Sequence, residues 1–376
     1  MIITFTGDIS ITGSFIKKME ANEEIFSPNI IEVFKNSSYV VANLEGPVTD
    51  TEPDSSDHIK IKSPSKTIQY LAKRKLNVFN LANNHILDCK TDGLNDTLDT
   101  MKQNNCSYFG AGKNVLEASQ ACVLEQNNCK IALFGITVPS VNIKGEEAKV
   151  FTSKELVVLK KEVQNLSKNV DYIIVNYHGG EEFTNYPSPN KRSYLKKISK
   201  IKGVDIVIAH HSHTLQAYEK YKGKYIFYSL GNFIFDIPAH YPYAYTKESA
   251  LLKFTFSKNN FTFDWIPFSN ENGKIIDTDF SKFETYFNNI SNFNNYKQKW
   301  RAEAYRVLFR RNLIQTKEVN AIDTSNSLQE KTLLRLLFSK KFYTKTIAVL
   351  QSDNYRSLYI SAIIHKIKRI VSRTNL

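Results

Sequence analysis

Seven apolar, β-branched runs recur through the first 230 residues: IITFT, YVVANL, NVFNLA, KIALFGI, DYIIVNYH, DIVIAHH and KYIFYSL. Runs of this length and composition read as buried strands. Between them, residues 66–75, 92–104, 153–168 and 188–202 carry helical spacing, with Leu94, Leu98 and Met101 on one face of the second. Strands alternating with helices predict an α/β fold whose sheet is central and covered by helices. SALLKFTFS and NFTFDWIPF, joined through Asn259 and Asn260, predict a hairpin that closes the body.

What stands at the end of each strand is less ordinary. IITFT runs into Gly7 and Asp8, YVVANL into Glu45, NVFNLA into Asn84 and His85, DYIIVNY into His178, and DIVIA into His210, His211 and His213. Taken singly, several of these fit turns: Asp8 follows a glycine, Glu45 precedes Gly46 and Pro47, and Asn83–Asn84 tolerates left-handed backbone. Taken together, five strands end in metal-ligand chemistry. Loops at the carboxyl ends of strands form the crevice of an open α/β sheet, so residues some two hundred positions apart can converge there. Three histidines in AHHSHT have no ordinary structural use, whereas an H-x-H pair can aim two imidazoles at adjacent metals.

These stretches, FTGDIS, VANLEGPVTD, NLANNHILDCKTDGLNDTLDTM with YFGAGKN, NYHGGEEF and DIVIAHHSHTLQAYE running on to IFYSLGNFIFD, resemble in order the motifs of the calcineurin-like metallophosphoesterase superfamily. They are most similar to its branch named for the capsule biosynthesis protein CapA. The resemblance covers roughly residues 1–240. It implies a four-layered α/β/β/α sandwich with a two-metal site at one edge of the sheets. On this resemblance Asp8 and His213 bind one divalent ion, Glu45 stands at the bridging position, and Asn84, His178 and His211 bind the other. His85 donates to a phosphate or protonates the leaving group, and Glu182 keeps the carboxylate of the fourth motif, for metal, a metal-held water or substrate. Asn43, His210 and Asn232, inside the same motifs, are assigned to substrate or to support of the ligands. Carboxylate, amide and imidazole donors without thiolate suit Mn, Fe or Zn. The chain departs from the superfamily in having Ser10 where a histidine usually follows the first aspartate, which leaves one ion or two as alternatives. It departs from the branch in having Gly179 for a tryptophan and in its sheet starting at residue 2, where the branch usually has a membrane anchor.

The net charge of +13 is concentrated at one end: residues 296–376 hold 17 Lys and Arg against 5 Asp and Glu. The expected organisation is a CapA-like, metallophosphoesterase-fold domain over 1–270 and a linker with a basic, mainly helical extension over 271–376. Apolar residues recur at helical spacing there, Leu333, Leu336 and Leu337 in one segment and Ile360, Ile363, Ile364 and Ile367 in another. These helices are expected to dock on the body or on a second copy in a homo-oligomer, with peripheral contact to an anionic membrane as the alternative. No matching module accompanies the charge, so nucleic acid is not expected as a partner. Cys89, Cys106, Cys122 and Cys129 have neither C-x-x-C spacing nor a disulfide framework. No signal-like leader opens the chain and no run of eighteen apolar residues interrupts it. A cytoplasmic protein, or one at the inner face of the membrane, is expected. The expected function is a metal-dependent hydrolase in bacterial capsule or surface-polysaccharide biosynthesis, acting on a polymer precursor or a phosphorylated small molecule. A non-catalytic assembly protein that binds polymer in the same pocket is the alternative.

Overall fold

A computed structural model describes residues 1–53, 59–139, 149–316 and 353–374. The first half of the body runs β1 (Ile2–Ile9), α1 (Ser14–Glu20), α2 (Pro28–Asn36), β2 (Tyr39–Leu44), α3 (Thr67–Ala72), β3 (Leu76–Asn80), α4 (Lys90–Gln103) and β4 (Ser107–Phe109). The second runs α5 (Val115–Ser119), β5 (Cys122–Gln126), β6 (Cys129–Thr137), α6 (Leu156–Leu166), β7 (Tyr172–His178), α7 (Pro189–Ser199), β8 (Ile206–His210), β9 (Leu215–Tyr221) and β10 (Lys224–Leu230). The chain then returns to the first sheet through β11 (Asn232–Ile234), β12 (Glu248–Phe256), β13 (Phe261–Glu271) and β14 (Lys274–Asp277), and ends in α8 (Phe280–Ser291), α9 (Tyr296–Thr316) and α10 (Asp353–Thr374).

Two sheets result. One has the order β14-β13-β12-β1-β2-β3-β4, with β11 also paired to β1; the other has the order β5-β6-β7-β8-β10-β9. Strands β1 to β4 are parallel to one another, as are β6, β7, β8 and β10. The period of two along each strand explains why the sheets stack. Ile3 and Phe5 of β1, Val41 of β2 and Val78 of β3 meet Ile131, Leu133, Ile174, Ile206, Ile208 and Phe227 of the other sheet. Alternate residues point outward: Val40, Ala42 and Phe79 pack on α1 to α4, while Ala132, Phe134, Ile173, Val175, Val207 and Tyr228 pack on α6 and α7. Helix, sheet, sheet and helix therefore form the four layers that the resemblance implied, with two stacked sheets in place of the one central sheet that the alternation of strands and helices predicted. Ser27 and Ser188 start α2 and α7, each accepting a hydrogen bond from the third helical amide ahead of a proline at the first position.

The sequence reading passed over β4, β5, β9, β11 and β14. Of these, β4, β5, β9 and β14 are sheet edges, where one side of a strand needs no apolar partner and the pattern fades. The last three residues of β9, Glu219, Lys220 and Tyr221, are partly or fully exposed. The first sheet runs on past residue 270 into β14. Beyond it, Trp300, Ala304, Val307 and Leu308 of α9 cluster with Leu358 and Ala362 of α10 and with Phe183 and Tyr243 of the body. Leu333, Leu336 and Leu337 lie outside the described residues. Ile360 and Ile363 are 45% and 41% exposed, so this stripe of α10 is not wholly covered. Among the described residues no helix is long and apolar enough to cross a membrane, and all four cysteines are free.

Candidate metal centre

The parallel strands of both sheets end at one edge, and register brings their terminal residues level. Asp8 pairs with Asn43 across β1 and β2, Asn43 with Asn80 across β2 and β3, and His178 with His210 across β7 and β8. Beside Asp8 the chain passes so close to β11 that a Cβ on Gly7 would stand 2.0 Å from the Gly231 carbonyl oxygen. Only glycine lets Asp8 N donate to that carbonyl, at 2.9 Å.

Glu45 is the centre of the arrangement. Its side chain is fully enclosed, and among the described residues neither carboxylate oxygen has a hydrogen-bond partner. Oε1 is 3.7 Å from His213 Nε2, 3.8 Å from His178 Nε2 and 3.9 Å from His85 Nε2. Those separations are too long for hydrogen bonds. A separation of this size suits two donors that share an ion, whose bonds of about 2.0–2.2 Å allow ligand atoms up to about 4.4 Å apart. Asp8, Glu45 and His213 form one such trio, Glu45, His178 and His211 a second, and Glu182, His211 and His213 a third, each with donor atoms within 4.8 Å of one another. Burial, then Asp8, Glu182 and Asp88, hold the Glu45 carboxyl well above its ordinary range. An enclosed, unbonded carboxylate among other acids and imidazoles fits a divalent cation, whose charge inverts that balance.

The imidazoles are ready to ligate. Burial and the neighbouring histidines hold His178 well below its usual range, and burial brings His211 down to about 3. His178 Nε2 and His211 Nδ1 are 3.1 Å apart. His213 Nδ1–H donates to Asn232 Oδ1 at 2.8 Å, which turns Nε2 toward Glu45. Asn43 Nδ2 lies 2.9 Å from Asp8 Oδ1 and 3.2 Å from His178 Nδ1, bracing one group against the other. His210 lies beside Asp8, its Nδ1 3.4 Å from Asp8 Oδ1. Burial pushes the Asp8 carboxyl up, but His210, His213 and His211 outweigh it and leave it below its usual range. Ser10 turns away, its hydroxyl 3.2 Å from that of Ser63.

The turn after β3 divides its labour. Asn83 braces the backbone: its amide donates to Leu44 O and Leu81 O, and its oxygen accepts from the amides of Gly46 and His85. Asn84, half-buried, lies between this brace and His85. His85 Nδ1 is 2.7 Å from Asp88 Oδ2, which also accepts from Ile61 N, so Nε2 faces Glu45. Asp88 escaped the sequence reading, although its place three residues after His85 in NHILD was a signal. Lys191 carried no signal. Buried in α7, it donates to His210 O at 3.1 Å and Ser212 Oγ at 3.0 Å, supporting the loop in which His211 and His213 adopt left-handed backbone, at φ 83 and 55. Burial brings Lys191 down to about 7, and burial pushes nearby Glu181 up to about 7.

Beyond Asn232 lies a cavity of about 330 Å³ lined by Ser14, Phe235, Asp236, His240, Tyr241 and Lys247 among others. His240 stacks on Phe235 and stands 4.4 Å, ring to ring, from His213.

The profile of the bacterial capsule synthesis protein family PGA_cap matches residues 2–237. The chain belongs to this family. It is 31% identical over 272 residues to the capsule biosynthesis protein CapA of Bacillus anthracis, a match that covers 69% of this chain and 64% of that protein, just under two thirds of the relative's length. It is also 31% identical over 266 residues to the PGA biosynthesis protein CapA of Bacillus subtilis, covering 68% of each. A calcineurin-like phosphoesterase of Bacillus subtilis is similar in structure, with a TM-score of 0.43, 13% identity and coverage of 78% of this chain and 99% of that one. The matched residues of the PGA_cap profile contain every candidate ligand, from Asp8 to His213, and stop before the hairpin β12–β13 and the basic extension.

Proposed function

We propose that this PGA_cap protein is a metal-dependent hydrolase of the phosphoesterase type, acting in the synthesis of a bacterial capsule or related surface polymer. The observation that carries this reading is the buried Glu45 carboxylate, unbonded at both oxygens and ringed by three imidazole nitrogens at 3.7–3.9 Å. Asp8, Glu45 and His213 would hold one divalent ion; Glu45, His178 and His211, with the Asn84 amide, would hold another. Such ions polarise a phosphoryl oxygen and make a bound water nucleophilic near neutral pH.

The chain's own residues supply the rest. Glu45 and Asp8 concentrate negative charge that would otherwise be unfavourable in so enclosed a place. His85 is the least enclosed of the imidazoles around Glu45, with its side chain 11% exposed. Asp88 orients it through Nδ1, so Nε2 is the atom that would give a proton to a departing oxygen. The cavity beyond Asn232 offers hydroxyl, carboxylate, ammonium and aromatic groups to the remainder of a polymer precursor or a smaller phosphorylated substrate.

The test is metal analysis of the purified protein together with hydrolysis of a generic phosphodiester or phosphomonoester after metal removal and re-addition of Mn²⁺. Bound metal and Mn²⁺-dependent turnover are expected. His85→Asn should keep the metal and lose about 10²- to 10⁴-fold in rate. Metal-loaded protein without turnover would favour polymer binding in the same pocket over hydrolysis, and loss of metal in H85N would make His85 a ligand.

A further inference from the structure

Glu182 lies well clear of any strand: it sits four residues beyond the end of β7, in the loop before α7. Its donor oxygen nevertheless lies with His211 and His213. Its neighbour Phe183 has φ +61, a left-handed backbone that a bulky residue keeps only where its surroundings enforce it. Three hydrogen bonds do so. Phe183 N donates to Ser212 O at 2.8 Å, from within the histidine loop. Arg306 Nη2 donates to Phe183 O at 2.8 Å, and Asn185 N donates to Glu303 Oε1 at 2.7 Å. The last two partners belong to α9, outside the residues that the family profile matches.

Glu303 and Arg306 also fix each other, at 2.7 and 3.0 Å. Around them the Phe183 ring stacks on Tyr243 at 3.9 Å, and both pack with Trp300, Ala304 and Val307. Arg310 Nε donates to Pro242 O at 2.7 Å, so the same helix holds the second loop whose side chains lie over His213. A purely apolar helix contact would not need a buried carboxylate and a half-buried guanidinium directed at the backbone on either side of one loop residue.

We propose that α9 is a positioning element of the metal centre: its Glu303–Arg306 pair sets the backbone of Phe183–Asn185 and thereby holds the Glu182 carboxylate against His211 and His213. This rests on the metal reading above. It makes the basic extension and the metal centre one unit, so that whatever lifts α9 from the body also loosens Glu182.

The test uses full-length, metal-stripped protein titrated with Mn²⁺ and with Zn²⁺ by calorimetry, and amide hydrogen exchange read at Phe183 and Asn185. Glu303→Ala and Arg306→Gln should each weaken at least one binding event by about 10- to 100-fold, the range for groups that orient a ligand, and should speed exchange at both amides. Glu303→Gln keeps an oxygen for Asn185 N–H and should restore most of the affinity. Ser361→Ala removes the 2.9 Å bond from Trp300 Nε1 between α9 and α10; it should lower the unfolding temperature and leave affinity unchanged. Wild-type affinity in both E303A and R306Q overturns the proposal. A wild-type protein that binds neither ion overturns the metal reading instead, and exchange then judges the tether: unchanged rates in the variants overturn it, and faster rates uphold it.

Discussion

A fully enclosed imidazole has to stay neutral, and that requirement gives the candidate site a pH signature. Burial holds His211 at about 3 and His178 well below the ordinary value near 6.5. Below pH 6.5 the unfolded chain binds protons that the folded chain refuses, so each histidine removes stability as pH falls, by up to about 1.4 kcal/mol per pH unit. Glu45 has the opposite sign. Its raised carboxyl holds a proton in the folded state above the ordinary carboxylate range, so it removes stability as pH rises. Glu181, pushed up to about 7, has the same sign as Glu45, but His240 is also held well below its usual range by burial, and three imidazoles against two carboxyls leave a net loss on the acid side. Metal-stripped protein should therefore unfold at markedly lower temperature or denaturant concentration at pH 5 than at pH 7.5, and His211→Asn should flatten that slope. Equal midpoints for wild type and H211N at pH 5 and 7.5 would contradict the assignment.

At the scale of elements, the site depends on two strands crossing without side chains between them. β1 and β11 pair in parallel from Asp8–Asn232 to Ile9–Ile234, and Gly7 sits where the backbones nearly touch. Gly7→Ala puts a methyl against backbone that no rotamer change can move. It should cost about 3 kcal/mol or more, displacing Asp8 on one strand and Asn232 on the other. Equilibrium denaturation measures the loss. A variant with wild-type stability would show that the crossing has slack, and would separate Asp8 placement from strand pairing. The sequence marked Gly7 only as a turn residue, because the partner that makes glycine necessary is 224 positions away.

On the scale of the whole molecule, the extension that carries most of the net charge also carries a contact to the body. Trp300 is 1% exposed and lies under Leu358 and Ala362 of α10. Removing residues 353–376 uncovers that face. The truncated protein should show red-shifted tryptophan emission, unfold at lower temperature and aggregate more readily. If it instead stays folded with unchanged emission while the full chain binds anionic vesicles in a salt-sensitive way, the covering of this face is a membrane matter and not an internal one.

Much of this was legible in the sequence because it is local. Near-continuous apolar runs along Ile2–Phe5, Ile131–Phe134 and Ile206–Ala209 announce strands buried on both faces, and the strand ends single out Asp8, Glu45, His178 and the AHHSH histidines as candidates for one crevice. The ligand types follow from the same letters. What needed the tertiary structure is everything fixed by partners distant in the chain: the meeting of both sheets at one edge, the 3.7–3.9 Å ring of imidazoles around Glu45, the turn of His210 toward Asp8, and Lys191 beneath the histidine loop. Glu303 and Arg306 are the clearest case. In the sequence they are an ordinary i, i+3 pair on a basic helix; only packing aims them at the backbone beside Glu182, because hydrogen-bond direction is set by where two elements dock and not by the residues within either.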